Sequence, residues 1–261
     1  MSFQDFARMQ EALMRELRLM HYPVAITYHF DQASLNGFKS AGEYYQPVKP
    51  LTFCQAEIGA RMEGVAVLVE PERLGCSNAK YVFGWKGFDD AELKTHAKYA
   101  SDALPARAIV ESKPHLQGRG LLAVGVAPLA LCARTPDVVH FSCDTMQAYH
   151  LIADWMATRG VHPFTANITA NSAACGGNVH SFNTDQANLF LACSGSYNSG
   201  KTERGEINVA IPGSQLAPVV ERILARTAKS GGASLTRIGD PFPGADICKN
   251  CPLIVFTKGK K

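Results

Sequence analysis

Residues 136–160, PDVVHFSCDTMQAYHLIADWMATRG, contain the pattern on which the predicted fold depends. Pro136–Phe141 is rich in β-branched and aromatic residues, which is typical of a strand. Asp144 is a suitable helix N-cap, apolar residues then recur at helical spacing, and Gly160 is a typical stop. Phe164–Thr169 is predicted to be extended again. Because a strand, helix, strand unit usually joins parallel neighbours, we expect an α/β (or α+β) fold with a mixed, partly parallel sheet and flanking helices.

The same criteria predict the remaining elements. Thr52 and Gln55 form a capping-box pattern, which places Cys54 in the first turn of a helix. Further helices are predicted over Ser2–Met20, Thr52–Gly64 and Gln215–Ala228. Further strands are predicted over Val24–Phe30, Val65–Val69, Ala106–Glu111, Leu121–Val126, Asn188–Ala192, Glu206–Ile211 and Leu253–Thr257.

The length of the chain and the positions of its glycines and prolines predict one domain with a short C-terminal addition. A chain of 261 residues with 46% hydrophobic content can bury a complete core. We predict a single α/β domain over residues 1–229, followed by a Gly- and Pro-rich linker and a C-terminal CxxC appendage over residues 230–261. Cys54-Gln55-Ala56 and Met146-Gln147-Ala148 each open a helix that precedes a glycine, a strand and a cysteine, namely Cys76 or Cys175. This echo suggests two similar halves.

Composition excludes several classes of protein. The N-terminus has no uninterrupted apolar run that would mark a signal peptide, so we expect a cytoplasmic protein. No apolar run approaches the ~20 residues that a membrane-spanning helix requires. The net charge of +3 is spread along the chain, which predicts neither nucleic-acid nor membrane binding.

The eight cysteines are the strongest chemical signal. A chain of this size needs no disulfide framework, so they require another explanation. Cysteines at the ends of predicted elements, together with a single CxxC followed by Pro252, are typical of thiolate ligands to iron–sulfur clusters. The predicted metal ligands are Cys54, Cys76, Cys175, Cys193, Cys248 and Cys251. The alternative for any one of the first four is a small buried core residue, the role that we predict for Cys132 and Cys143.

Gly195–Thr202 matches the phosphate-binding P-loop pattern after a predicted strand. A working P-loop needs a helix that begins at its Lys-Thr pair, because the free N–H groups of the helix hold the phosphate. Gly205 and Pro212 instead bracket a segment with the length and β-branched content of a strand. We therefore predict a polar hairpin loop without a nucleotide site.

Several segments in a fixed order carry a family resemblance. They are Pro23-Val24-Ala25, Phe53-Cys54-Gln55-Ala56, Ala127-Pro128-Leu129, Pro136–Val139, Met146-Gln147-Ala148, Cys175, Cys193 and Glu206–Pro212. From about Leu17 to Leu224 the chain resembles the family named Domain of Unknown Function 169, which occurs in archaea and bacteria, many of them anaerobic. The resemblance implies that Cys54, Cys76, Cys175 and Cys193 belong together. It also implies that Gly200-Lys201-Thr202 is particular to this chain.

Three functions are compatible with these cysteines. The leading hypothesis is a metal or iron–sulfur protein with a redox or electron-transfer role, whose partner is a small molecule or a redox protein. The second is a metal-free thiol enzyme with Cys54 or Cys193 as nucleophile, because a helix N-terminus favours the thiolate at Cys54. The third is a non-enzymatic binding module with structural zinc at the CxxC. His180 follows Cys175 closely enough to share its site, and the sequence leaves a homo-oligomer open.

Overall fold

The computed structural model describes residues 3–87 and 102–230, together with residues 93 and 100. Its helices are α1 (Phe3–Leu17), α2 (Gln32–Ser40), α3 (Phe53–Glu63), α4 (Ser77–Val82), α5 (Ala103–Glu111), α6 (Thr145–Arg159), α7 (Ala173–Thr184), α8 (Ser194–Asn198) and α9 (Leu216–Ser230). Its strands are β1 (Val24–His29), β2 (Val67–Val69), β3 (Ala123–Pro128), β4 (Val138–Cys143), β5 (Asn188–Phe190) and β6 (Ile207–Pro212). None of these helices combines the length and the apolar character that crossing a membrane would require.

Both predicted helix caps are confirmed. The Thr52 hydroxyl accepts a hydrogen bond from the backbone N–H of Gln55, and the Gln55 side chain accepts one from the N–H of Thr52. Asp144 and Gln147 form the same reciprocal pair at the start of α6. Each helix then ends at a glycine in the left-handed conformation, as the sequence indicates.

The sheet is antiparallel, and the prediction of a partly parallel sheet is wrong. Its six strands lie in the order β2-β3-β1-β4-β6-β5, and every paired neighbour runs in the opposite direction. The error comes from Phe164–Thr169, which is not a strand. After α6 the chain passes through an irregular segment with Pro163, which has no N–H to donate to a ladder, and then enters α7. The strand that follows pairs with β6 rather than with β4.

A second predicted strand, Ala106–Glu111, belongs to helix α5. Three alanines favour the helix, Pro105 is tolerated in its first turn, and Arg107 pairs with Glu111 one turn later. Helices α2, α4, α7 and α8 were not predicted. Residues 231–261 lie outside the described part, and with them the predicted linker, the strand Leu253–Thr257 and the CxxC appendage.

The strand order divides the sheet into two equivalent halves. From the centre outward, β1, β3 and β2 on one side correspond to β4, β6 and β5 on the other. The registers agree, because Val24 pairs with Pro128 in one half and Val138 pairs with Pro212 in the other. The similarity between the two sequence segments suggested that α3 corresponds to α6, but the topology gives a different correspondence. Since α3 directly precedes β2 and α7 directly precedes β5, α3 corresponds to α7, and α2 corresponds to α6.

Two helical layers cover the sheet. Helices α3, α4 and α7 pack on one face, where Phe53, Ala56 and Val179 join the valines of β2 and β3 in one buried cluster. Helices α1, α6 and α9 pack on the other face around Trp155 and Phe141. Helix α2 covers the remaining part of this second face, near the β2 edge. The described domain therefore has three layers, and α3 and α7 lie side by side on the first face.

Candidate metal centre

Four of the six predicted ligands line one pocket. These residues, Cys54, Cys76, Cys175 and Cys193, come from four separate segments and form what we call the four-cysteine pocket. Its volume is about 160 Å³, and polar groups from Thr52, Asn78, Asn171, Ser172 and Ser194 complete its wall. Cys175 is buried and the other three are half-buried. The sequence-based grouping of these four cysteines matches their common location.

The four cysteines occupy equivalent places in the two halves of the fold. Cys54 is the second residue of α3 and Cys175 is the third residue of α7. Cys76 is the N-cap of α4, which follows β2, and Cys193 is the N-cap of α8, which follows β5. Each half thus supplies one cysteine before its outer strand and one after it. The sequence similarity between the two halves suggested that Cys76 is equivalent to Cys175. The topology shows instead that Cys76 is equivalent to Cys193.

Ser196 connects two of the cysteines. Its hydroxyl donates a hydrogen bond to the Cys54 sulfur at 3.2 Å and lies 3.7 Å from the Cys193 sulfur. The Cys175 thiol donates to the Ser172 carbonyl oxygen at 3.4 Å. Hydrogen bonds to ligand sulfurs are one of the means by which proteins adjust the potential of an iron–sulfur cluster.

Burial favours the neutral thiol form of Cys54 and Cys175. Desolvation raises the pKa of Cys54 to about 12, and the nearby Glu57 carboxyl adds to the effect. Desolvation also raises the pKa of Cys175 far above the usual thiol range, reinforced by the three other cysteines of the pocket. Burial therefore opposes the preference for the thiolate that the start of the helix gives to Cys54. A bound metal cation would reverse this balance, since its charge stabilises the coordinating thiolate.

Across residues 3–87 and 102–230, no three His, Cys, Asp or Glu side chains are arranged to hold one metal ion. An iron–sulfur cluster makes a different geometric demand, because its iron and sulfide atoms lie between the protein ligands. Four thiols around a pocket fit that demand in number and in chemistry.

A buried polar network lies directly behind Cys54. Glu57, one helical turn further along α3, has its carboxylate oxygen 3.3 Å from His140 Nδ1 and accepts a hydrogen bond of 3.2 Å from the Asn178 amide. Desolvation raises the pKa of Glu57 to about 8 and lowers the pKa of His140 to about 4. At neutral pH the pair therefore consists mainly of a neutral carboxyl group and a neutral imidazole.

The network continues to a buried ion pair. Arg61, again on the inner face of α3, donates to Glu206 at 2.8 Å and to the Lys201 carbonyl oxygen at 3.0 Å. The side chains of Arg61 and Glu206 are only 5% and 7% exposed. Together Glu57, Arg61, His140, Asn178 and Glu206 form what we call the buried polar network. A narrow space lined by Cys54, Ser196, Glu57, Arg61 and Glu206 links it to the four-cysteine pocket.

The comparison with family models matches residues 12–222 to the family described as DUF169, Uncharacterised ArCR. The chain belongs to this family. Searches of curated proteins and of solved structures return no significant match. The resemblance seen in the sequence is thus confirmed over most of the chain, and the four-cysteine pocket lies within the matched region.

The P-loop motif of this DUF169 protein has a different local structure. The helix α8 (Ser194–Asn198) lies inside the motif instead of starting at its end. Lys201 and Thr202 lie in a bend, and the chain then enters β6. The arrangement that a P-loop requires is therefore missing from this described segment. Its Lys201 contributes a carbonyl oxygen to Arg61 instead.

The other predicted site residues are distributed elsewhere. His180 does not share the pocket of Cys175, because it lines a separate cavity with Trp155 and Phe164. Cys132 and Cys143 are buried in the core on the opposite face of the sheet, as predicted. Cys248 and Cys251 lie outside the described residues, so their predicted role as ligands stays a prediction.

The buried polar network was not predicted, although α3 carries a signal for it. Glu57 and Arg61 lie three and seven positions after Cys54, on the same face as Ala56 and Ala60. Charged residues on the apolar face of an amphipathic helix need a buried partner. Ser196 lies in the loop that matches the P-loop pattern, and no local signal marks it as a partner of Cys54.

Proposed function

We propose that this protein is a cysteine-ligated iron–sulfur or other metal protein, with a redox or electron-transfer role on a small molecule. The observation that carries the proposal is the four-cysteine pocket, to which the two halves of the fold contribute equivalent cysteines. Four thiols at scattered positions in the sequence seldom share one pocket by packing alone.

The chemistry of the ligands supports a thiolate-bound centre. Iron–sulfur clusters are commonly held by four cysteine thiolates, and a bound cluster would supply a one-electron donor and acceptor. Burial disfavours the thiolate form of Cys54 and Cys175, whereas a bound cation would stabilise the thiolates that coordinate it. Cys248 and Cys251 would either complete this site or form a second one.

The protein itself would contribute three things. The Ser196 hydroxyl bonds to the Cys54 sulfur and would adjust the electron density on that ligand. The buried polar network fixes α3 against β4 and β6, and with it the position of Cys54. Three half-buried cysteines leave the pocket open on one side, where a redox partner protein or a small molecule can approach.

The two rival functions have less support. A thiol enzyme needs a nucleophile with a lowered pKa, and burial raises the pKa of Cys54 to about 12. A zinc-binding module would use the CxxC with two further cysteines, and it differs from the leading proposal in the metal and in the absence of colour. Both rivals predict results that one experiment separates.

The test is analysis of iron, sulfide and zinc with a visible absorption spectrum, on protein purified without oxygen. We expect coloured protein with iron and labile sulfide, and loss of both in the double variant Cys54→Ser/Cys193→Ser. The matched control is Cys132→Ser/Cys143→Ser, which changes two core cysteines outside the pocket and should retain the iron. Colourless protein with zinc would favour the binding module, and colourless, metal-free protein would leave the thiol enzyme ahead.

A further inference from the structure

A second cavity of the described part lies away from the four-cysteine pocket. It has a volume of about 320 Å³ and is bounded by α2, the loop that follows it, and strands β1 and β3. Side chains alternate between the two faces of a sheet. Since Ile26 and Val126 face the cysteine side, Thr27 and Ala127 form the floor of this cavity on the opposite face. The two sites are therefore separated by the sheet.

The two equivalent halves of the sheet show that this cavity lacks bulky side chains that are present in the other half. Because Val24–Pro128 is equivalent to Val138–Pro212, Thr27 corresponds to Phe141, and Ala127 corresponds to Ile211. Phe141 and Ile211 are fully buried beneath α1, α6 and α9. In the first half the matching positions carry small side chains, and the covering helix α2 has nine residues where α6 has 15.

Helix α2 packs closely against the sheet through Phe38. The ring of Phe38 packs onto Gly125, where a Cβ atom would come within 2.5 Å of the ring. Phe38 also contacts the rings of His29 and Tyr44. These contacts fix two aromatic walls above a floor of small residues. A recess of this size with a buried floor of small residues and aromatic walls has the character of a small-molecule site.

The lining determines the kind of ligand. Phe38, Tyr44, Leu131 and four alanines make it mainly apolar and partly aromatic. Its charged members, Glu43 and Arg134, are exposed, and Arg134 already donates to Ser34 and lies 3.8 Å from Asp137. A charged group moved into the apolar interior would lose its hydration without gaining a dedicated partner.

We propose that this cavity binds a small, neutral, flat aromatic molecule beside the Phe38 and Tyr44 rings, above Thr27 and Ala127. Such a ligand stacks on the aromatic walls and fills the volume that Phe141 and Ile211 occupy in the other half. The proposal does not depend on the metal centre, because the two sites share no residue.

The experiment is a titration of the full chain with indole, p-cresol and naphthalene, followed by calorimetry and ligand-observed NMR. We expect saturable binding of at least one of them, and binding weaker by roughly tenfold or more in Ala127→Ile, which fills the floor. Ala157→Ile, which adds the same bulk at an exposed site of α6, should bind like the wild type. Indole-3-carboxylate should bind more weakly than indole.

Three results would overturn the proposal. They are no binding of any probe at millimolar concentration, unchanged affinity in a folded Ala127→Ile variant, and tighter binding of the carboxylate than of indole. If Ala127→Ile does not fold, magnetisation transfer between indole and the rings of Phe38 and Tyr44 in the wild type decides the question. Transfer to these rings supports the proposal, and bound indole without it contradicts the proposal.

Discussion

Replacing Arg61 by methionine is expected to lower the free energy of unfolding by about 3–5 kcal/mol, as measured by denaturant titration. The loss arises because the substitution leaves the Glu206 carboxylate buried without its partner and the Lys201 carbonyl oxygen without its donor. It also removes the cation that lowers the pKa of Glu57 in its buried position. The titration is carried out without added metal, so that the measured loss of unfolding free energy is separated from any effect of added metal.

Two further variants control the Arg61 result. Arg107→Met disrupts the exposed pair with Glu111, whose side chains are both more than half exposed, and should cost less than about 1 kcal/mol. Arg61→Met/Glu206→Leu replaces the whole buried pair with apolar side chains and should recover most of the lost stability. A loss of less than 1 kcal/mol in Arg61→Met would show that Glu206 is hydrated rather than buried.

Replacing Gly177 by alanine is expected to destabilise the fold by about 1–3 kcal/mol, the range typical of overpacked cores. A Cβ atom at this position of α7 would lie 2.5 Å from the ring of Phe190, which is fully buried and has no room to move. The helix would have to withdraw from β5, and Cys175, two residues earlier, would move with it. We therefore expect thermal unfolding at a lower temperature and a lower iron content.

The neighbouring glycine is the matched control. A Cβ atom at Gly176 would meet Pro114 and Thr169 at 3.8 and 3.9 Å, which are ordinary contacts. Because alanine favours a helix over glycine by roughly 0.5–1 kcal/mol, Gly176→Ala should be neutral or stabilising. Equal effects of the two substitutions would contradict the close packing of α7 on the sheet.

Much of the site could be predicted because its signals are local. The capping box at Thr52 places Cys54 in the first turn of α3, and Gly75 next to Cys76 lies between β2 and α4. These signals depend on a few neighbouring residues, which act in the same way in most folds. The family match, which the order of the motifs indicated, extends over the same region.

The direction of the strands and the role of α7 could not be predicted in this way. Adjacent glycines at positions 176 and 177 disfavour a helix, and only the contact with Phe190 explains why they belong to one. The pairing of β5 with β6 depends on contacts that Phe164–Thr169 does not reveal. The equivalence of Cys76 and Cys193 likewise follows from the strand order, which local sequence does not encode.

We propose that Cys54, Cys76, Cys175 and Cys193 act together on one metal centre. The most direct test is mass-spectrometric mapping of cysteine alkylation, on protein purified without oxygen, before and after treatment with an iron chelator. We predict that the half-buried Cys54, Cys76 and Cys193 are protected together before treatment and become reactive together after it, while the core residues Cys132 and Cys143 react equally in both samples. Labelling of Cys54, Cys76 and Cys193 that is the same with and without the chelator, or protection of only one of them, would contradict a shared metal centre.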